Sequence, residues 1–490
     1  MALSKTRTHE SSALTTSKKR AFRRALTIFR EAAQRIPAYK DFLKKSRIKP
    51  ALIRSESDFA QIPVVDKTNY ISRYPLEDLN WDGVLASAKY ISSSSGSTGV
   101  PFYWPRGRKQ DIIVAGMFRR VYEDVFDTRK GSTLCVDSFA LGAWIAGLEL
   151  YNATKWVADV GNNIVLVTPG IDKNVAVDQI KRLASSFDRI VLSGYPPFVK
   201  DILEFGSIAG IKWRKHDVRL FTGGEPFSER WRDRVLELIG KNDPFRTSIN
   251  MYGMAETGIV ASETPLSILL RRSSGATSEL RQEFSQNGEA CPLYQYDPMA
   301  RYFELGSDNG LILTADAGLP LVRYDTRDRG GILEHATALE RYGGYLRSAA
   351  KKHRIDLHKW NLPFVYLYGR KDLSISLYAL NIYVENIKYA LENSKFATHL
   401  SGLFTMSVED TDNLDQQFRI TVELSRATEQ SQSLIEALTR EVVEGLCKLN
   451  TEYAKLYSVI GDRAKPAITL VRYGEIQTIP GRKHKWVKRG

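Results

Sequence analysis

From about residue 85 to 255 the chain alternates short apolar runs with longer stretches whose apolar residues recur every three or four positions. The runs at 88–92, 133–137, 164–168, 189–193, 218–222 and 248–252 are too short for helices and are bounded by turn residues, which predicts strands. Between them, 110–125 carries Ile113, Met117, Val121 and Val125 at i, i+4 spacing, and 175–187, 197–205 and 227–239 show the same period. These stretches predict helices, and the alternation predicts an α/β fold: a sheet with many parallel strands under covering helices. Ahead of it, 21–34 reads as an amphipathic helix behind a loose basic tail at 1–20. Residues 265–310 are rich in Ser, Gly and Asn and read as irregular; strands are expected at 311–315, 321–324 and 330–334. After about 369 the pattern becomes a compact α+β unit, with helices near 384–392 and 431–449 and strands near 418–424 and 467–473.

A length of 490 residues exceeds what one hydrophobic core supports. The expected division is a tail at 1–20, a large N-terminal domain at 21–368 with an insertion near 336–362, and a small C-terminal domain at 369–490. No run of about 18 apolar residues marks a membrane span, and the polar N-terminus lacks a secretory signal's apolar stretch. Cys135, Cys291 and Cys447 are widely spaced, which argues against a disulfide framework or a zinc site and fits a reducing cytoplasm. The formal charge of +14 suits an anionic ligand, nucleic acid or an acidic membrane, or simply a Lys/Arg-rich proteome. No nucleic-acid signature accompanies it. A homodimer stays open.

Six segments carry candidate chemistry. ISSSSGSTGVP at 91–101 lies between a strand and a helix, where glycines allow close backbone approach to phosphates and hydroxyls donate to them. It is neither a Walker loop nor a dinucleotide loop, and alone it also reads as a plain turn. FTGGEP at 221–226 and NMYGMAETG at 250–258 end two strands, where ligands bind in parallel sheets. There Tyr252 offers a flat face and Glu256 a hard oxygen for Mg²⁺. LVRYDTRDRG at 321–330 supplies Asp328, a carboxylate able to accept from two ribose hydroxyls. YGRKDL at 368–373 lies at the expected domain boundary, and TIPGRKHKWVK at 478–488 ends the chain with lysines.

In this order the segments resemble the adenylate-forming superfamily of acyl-CoA synthetases, peptide-synthetase adenylation domains and luciferases. The closest look is to the phenylacetate–CoA ligase branch. Residues 94–101 are similar to S-S-G-T-T-G-x-P, 223–226 to G-G-E-P, 252–256 to Y-G-x-T-E and 324–328 to Y-R-T-G-D. Gly369 and Arg370 match the G-R before the hinge, and 481–485 resembles the terminal lysine loop. The stretch from Ile36, IPAYKDFL and later IPVVDKTNY, resembles the branch's P-x-Y and L-P-x-x-x-K. The likeness covers about 30–490.

The resemblance implies ATP-dependent conversion of a carboxylic acid to an acyl-adenylate, then transfer to CoA or, alternatively, to an amine or carrier protein. It places Ser95, Gly96, Ser97, Thr98 and Gly99 on the ATP phosphates. Gly224, Glu225, Pro226, Tyr252, Gly253, Met254 and Ala255 would border the nucleotide, with Tyr252 stacked on adenine. Glu256 would hold Mg²⁺, and Asp328 the ribose with Arg370 nearby. Lys483 would touch the α-phosphate, with Lys485 as the competing lysine, and Asp372 would be the hinge of a mobile C-terminal domain. Phe139, Trp144 and Tyr195 line the acid pocket by position; ordinary core aromatics is the other reading. Four features depart from the pattern: Val100 replaces a lysine, Ala255 replaces threonine, Arg327 replaces glycine, and about forty residues separate Asp328 from Arg370. The extra piece includes a basic stretch at 341–360. It is expected near the domain cleft, either as a solvated helix or holding the phosphates of CoA or an acidic carrier.

Overall fold

The computed structural model describes residues 2–93, 102–142, 145–286, 289–370, 374–377, 380–410, 416–477, 484 and 486–487, with backbone alone for 2–17. An antiparallel pair, β1 (Tyr90–Ser93) and β2 (Tyr103–Arg106), precedes the parallel strands β3 (Thr133–Ser138), β4 (Ile164–Val167), β5 (Arg189–Gly194), β6 (Asp217–Gly223) and β7 (Ser248–Met254). β8 (Gly258–Ser262) turns back against β7. After the short pair β9 (Ser285–Gln286) and β10 (Glu289–Ala290), five more strands extend the same sheet. They are β11 (Leu293–Gln295), β12 (Tyr302–Leu305), β13 (Gly310–Ala317), β14 (Leu319–Leu333) and β15 (Phe364–Arg370). The resulting 11-stranded sheet runs β12-β13-β14-β15-β11-β8-β7-β6-β5-β3-β4.

Alternation along the parallel strands builds a core on each face. Leu134, Val136, Ile190, Leu192, Val218 and Leu220 meet the helices Lys173–Leu183, Pro196–Ile208 and Glu229–Ile239. Cys135, Val191, Phe221 and Ile249 meet the helices Arg108–Arg120 and Ile145–Asp159. Each large apolar side chain so buried contributes roughly 1.5–3 kcal/mol. Towards the C-terminus come β16 (Ser374–Leu377), β17 (Leu380–Tyr383), β18 (Leu400–Asp410), β19 (Gln416–Leu424) and β20 (Ala467–Val471). With the helices Val384–Leu391, Gln432–Leu449 and Thr451–Ile460 they enclose a core of their own, including Ile387, Phe404, Ile420, Leu446 and Trp486.

The expected strands from 133 to 252 all form in the large sheet, while the run at 88–92 becomes the antiparallel β1 outside it. Four more expectations change. The sheet is parallel only from β4 to β7; from β8 onward its pairs are antiparallel. The irregular 265–310 stretch contains the helices Pro265–Arg272 and Ser278–Phe284, because Thr264 and Thr277 cap them, accepting the N–H groups of Ser267 and Leu280. The basic tail is helical too, within Ala2–Arg35, a stretch free of Pro and Gly.

The fourth concerns the insertion. Its basic stretch belongs to the helix His335–His353, which leaves the sheet where Leu333 pairs with Phe364. That is five residues along β14 from Asp328, which pairs with Arg370. The helix C-terminus packs at the start of β7, with His353 4.6 Å from the Phe245 ring and Arg246 donating to the Arg354 carbonyl at 2.6 Å. Chain connectivity suggested the cleft; an antiparallel β14–β15 pair carries the connection to the opposite edge instead.

Candidate active site

The carboxyl ends of β6 and β7 and the middle of β14 converge. Asp328 is buried, and the Tyr252 hydroxyl donates to its Oδ2 at 2.5 Å. Thr326 Oγ1 accepts the Asp328 N–H at 3.2 Å. The Tyr252 ring stacks on Tyr294, with centroids 5.7 Å apart. Beyond β7 the turn brings Glu256, 7% exposed, under the Tyr324 hydroxyl, which donates to Oε1 at 3.3 Å. Lys67 Nζ pairs with the same oxygen. Gly224, at φ +89°, follows β6, and Asn250 Nδ2 donates to the neighbouring Glu225 carbonyl at 3.0 Å. Residues from 224–226, 252–256 and 324–328, scattered in sequence, thus form one cluster.

β7 is fixed from behind. Glu263 pairs with Arg232 at 2.6 Å and Arg271 at 3.3 Å, and it accepts the Asn250 N–H at 2.8 Å. Buried Arg106 donates to the carbonyls of Ala317, at 2.9 Å, and Ala255, so it sets the turn that carries Glu256. Burial lowers its pKa. The segment at 63–70 is bolted to β14: Val65 donates to the Arg323 carbonyl at 3.0 Å and accepts from Asp325 at 2.9 Å. Asp66, held below the usual carboxylate range by bonds from Thr68 and Asn69 against the opposing effect of burial, accepts from Arg327 at 2.7 Å. This anchoring delivers Lys67 to Glu256.

Lys67, Arg106 and Asn250 went unassigned in the sequence. Lys67 stands in the stretch resembling L-P-x-x-x-K and Asn250 opens the segment at 250–258; Arg106 has no local signal. The proposed pocket aromatics Phe139 and Tyr195 do meet, with ring centroids 5.1 Å apart. Ser95, Gly96, Ser97, Thr98, Gly99, Trp144, Asp372, Lys483 and Lys485 lie outside the described residues, as does the Arg370 side chain. Two neighbours of the terminal lysines are placed. Phe404's carbonyl lies 2.6 Å from His484 Nε2, and Trp486 packs under Lys388, whose Nζ is 3.8 Å from Glu225. The terminal segment therefore approaches the loop after β6.

The donor set limits how a metal binds. Among the described residues no group of three or more His, Cys, Asp and Glu gathers as a metal site. Glu256 is the carboxylate that the resemblance assigns to Mg²⁺; one such oxygen suits Mg²⁺ shared with nucleotide phosphates but does not make a protein-only cage. Lys67 already sets a positive charge against that oxygen.

No protein-family model and no curated protein matches this sequence. Solved structures do. A 2-hydroxyisobutyryl-CoA ligase in the postadenylation state, in complex with 2-HIB-AMP, is 15% identical, with a TM-score of 0.67 over 97% of this chain and 89% of that one. The same ligase with 2-HIB-AMP and CoA in the thioesterification state is 16% identical, with a TM-score of 0.53 over 97% and 90%. Among the described residues no helix is long and apolar enough to cross a membrane. The chain has the mixed α/β fold of the adenylate-forming ligases.

Proposed function

We propose that this chain uses ATP to convert a carboxylic acid to an acyl-adenylate and then passes the acyl group to CoA. The observation that carries the reading is the Tyr252–Asp328 pair beside Glu256. With the Tyr324–Glu256 bond it joins, at one place, two separate segments, 250–258 and 321–330, to which the resemblance assigns adenine, metal and ribose. The fold agreement along nearly the whole chain supports it.

In this reading the acid's carboxylate oxygen attacks the α-phosphorus. The bond from that phosphorus to the bridging oxygen breaks, and pyrophosphate leaves. Asp328 accepts the ribose hydroxyls, the Gly224–Pro226 loop borders adenine, and the loop from Ser95 to Gly99 donates to phosphate oxygens. Lys483 adds positive charge at the α-phosphate, and Lys67 adds it beside Glu256. Such catalysis is positioning plus charge stabilisation, with no protein nucleophile. Mg²⁺, when bound, neutralises phosphate charge; Glu256 would hold it. The thiol of CoA then attacks the acyl carbon, loses its proton and displaces AMP. An amine or a carrier-protein thiol would use the same adenylate.

ATP–pyrophosphate exchange across a panel of carboxylic acids tests the first half, and AMP release with CoA, amines and carrier proteins tests the second. Lys483→Ala is expected to abolish exchange yet spare transfer from supplied acyl-adenylate. Loss on Lys485→Ala instead would move the role by two residues. No acid supporting exchange by the folded wild type would overturn the reading.

A further inference from the structure

β3 and β5 are neighbouring parallel strands, and near their carboxyl ends Asp137 and Ser193 are register partners. Register partners project to the same face of a sheet. Both side chains are fully buried. Asp137 Oδ1 accepts the Phe139 N–H at 3.1 Å. Asp137 Oδ2 and Ser193 Oγ have no hydrogen-bond partner among the described residues. A buried carboxylate oxygen without a donor is costly and calls for an explanation. Burial pushes Asp137 up to about 8, with the N–H bond from Phe139 offsetting only part of the effect.

The surroundings show what approaches this oxygen. Two residues further along each chain, Phe139 and Tyr195 meet edge to face, with interplanar angle 80°. Tyr195 is half-buried, and its ring lies so close to Gly224 that a Cβ there would collide with it. The apolar Tyr195 and Phe139 rings thus stand between the loop after β6 and the strand ends that carry Asp137 and Ser193.

Resting on the adenylation reading, we propose that the acid activated here carries a hydrogen-bond donor, a hydroxyl or amino group, at the far end of an apolar body. Asp137 Oδ2 accepts it, with Ser193 Oγ beside it. A site built to bond a substrate's OH or NH strongly rejects the analogue without it, because its own polar groups are then left unpaired.

The test uses the full chain and sets of acids sharing one carbon skeleton, with hydroxyl, amino or methyl at the distal carbon. ATP–pyrophosphate exchange gives kcat/KM for each. The wild type is expected to favour a donor-bearing acid over its methyl partner by about hundredfold or more. Asp137→Leu should reverse that order. Asp137→Asn, nearly isosteric and checked by a thermal melt, should change the amino-to-hydroxyl ratio at least tenfold in assays above pH 8, where Asp137 is ionised and an amide in its place holds no charge against an ammonium. Equal kcat/KM for donor and methyl acids, or an unchanged ratio in the folded Asp137→Asn protein, overturns the donor assignment and leaves adenylation standing. No exchange with any acid overturns adenylation, and the donor assignment with it.

Discussion

Arg327 holds φ +65°, a left-handed conformation that costs a non-glycine residue about 1–2 kcal/mol. It directly precedes Asp328, where the resemblance expects glycine, so the departure sits at a position whose backbone glycine prefers. Its guanidinium ties to Asp66 and its N–H to Asp325 at 2.8 Å. Arg327→Gly and Arg327→Ala both remove the ion pair and differ in the strain. Urea unfolding should therefore find the glycine variant about 1 kcal/mol more stable than the alanine variant, and equal midpoints would contradict the strain. One residue on, Asp328→Ala removes a carboxylate that accepts from Tyr252 and, in the proposed reading, from ribose. Hydrogen bonds to a charged group are worth about 1.5–3 kcal/mol, so KM for ATP should rise tenfold or more in steady-state kinetics. Tyr252, Glu256 and Asp328 were legible because each stands in a patterned segment. Lys67 and Arg106 were not: a lone lysine or arginine acquires its partner only through tertiary contact, as Lys67 does through the Val65–Arg323 and Val65–Asp325 bonds.

At the scale of elements, the helix Ile145–Asp159 shows why some of the fold escaped the sequence. Its buried face includes Gly147, Glu149 and Thr154 beside Leu150, Ala153 and Val157, so the apolar period is blurred. Glu149 accepts the Ile259 N–H at 2.9 Å and fills the space beside Gly258, which holds φ +70°. This packing sets the turn after Glu256. Burial pushes Glu149 up to about 7, against the pull of Arg106. A folded-state pKa above the unfolded value of about 4.3 means the folded state binds more protons between the two. Its stability contribution is therefore full below about 4.3 and is lost as pH rises towards 7. Glu149→Gln cannot ionise, so its stability relative to wild type should improve by about 2–3 kcal/mol between pH 5 and pH 8 in urea titrations. A pH-independent difference would place the carboxylate's charge elsewhere. The helix His335–His353 gives the opposite kind of lesson. Its basic composition was legible, but its location was not, since the β14–β15 pair sets that. Replacing Lys351, Lys352 and Arg354 by alanine should leave both exchange and acyl transfer within about twofold of wild type, because that end lies at the start of β7.

Across the whole molecule, the C-terminal elements touch the large sheet's helices mainly through polar groups. Lys173 pairs with Asp201, and the Tyr473 hydroxyl joins both, at 2.9 Å and 2.8 Å. Arg426 lies over the Tyr473 and Phe205 rings, at 4.4 Å and 5.4 Å. Lys200 donates to the Leu400 carbonyl at 3.3 Å, Arg230 to the Tyr389 carbonyl at 3.1 Å, and Ser228 to Glu392. A polar interface of this kind releases and re-forms more readily than an apolar one, as the mobile C-terminal domain implied by the resemblance would need in order to take one seat for adenylation and another for transfer. Asp201 is its hub, and both Lys173 and Asp201 are largely shielded, at 11% and 24% side-chain exposure, so the pair is weakly screened. Removing Asp201 leaves Lys173 only the Tyr473 hydroxyl oxygen as acceptor and leaves that hydroxyl's own proton without one. Asp201→Ala should therefore weaken the present seat by roughly 1.5–3 kcal/mol, enough to cut its population tenfold where the seats are balanced. If this seat serves adenylation, ATP–pyrophosphate exchange falls about tenfold while transfer from supplied acyl-adenylate is kept. A thermal melt confirms that the variant is folded. Equal loss in both half-reactions would make the Asp201 cluster a fixed brace rather than a releasable contact.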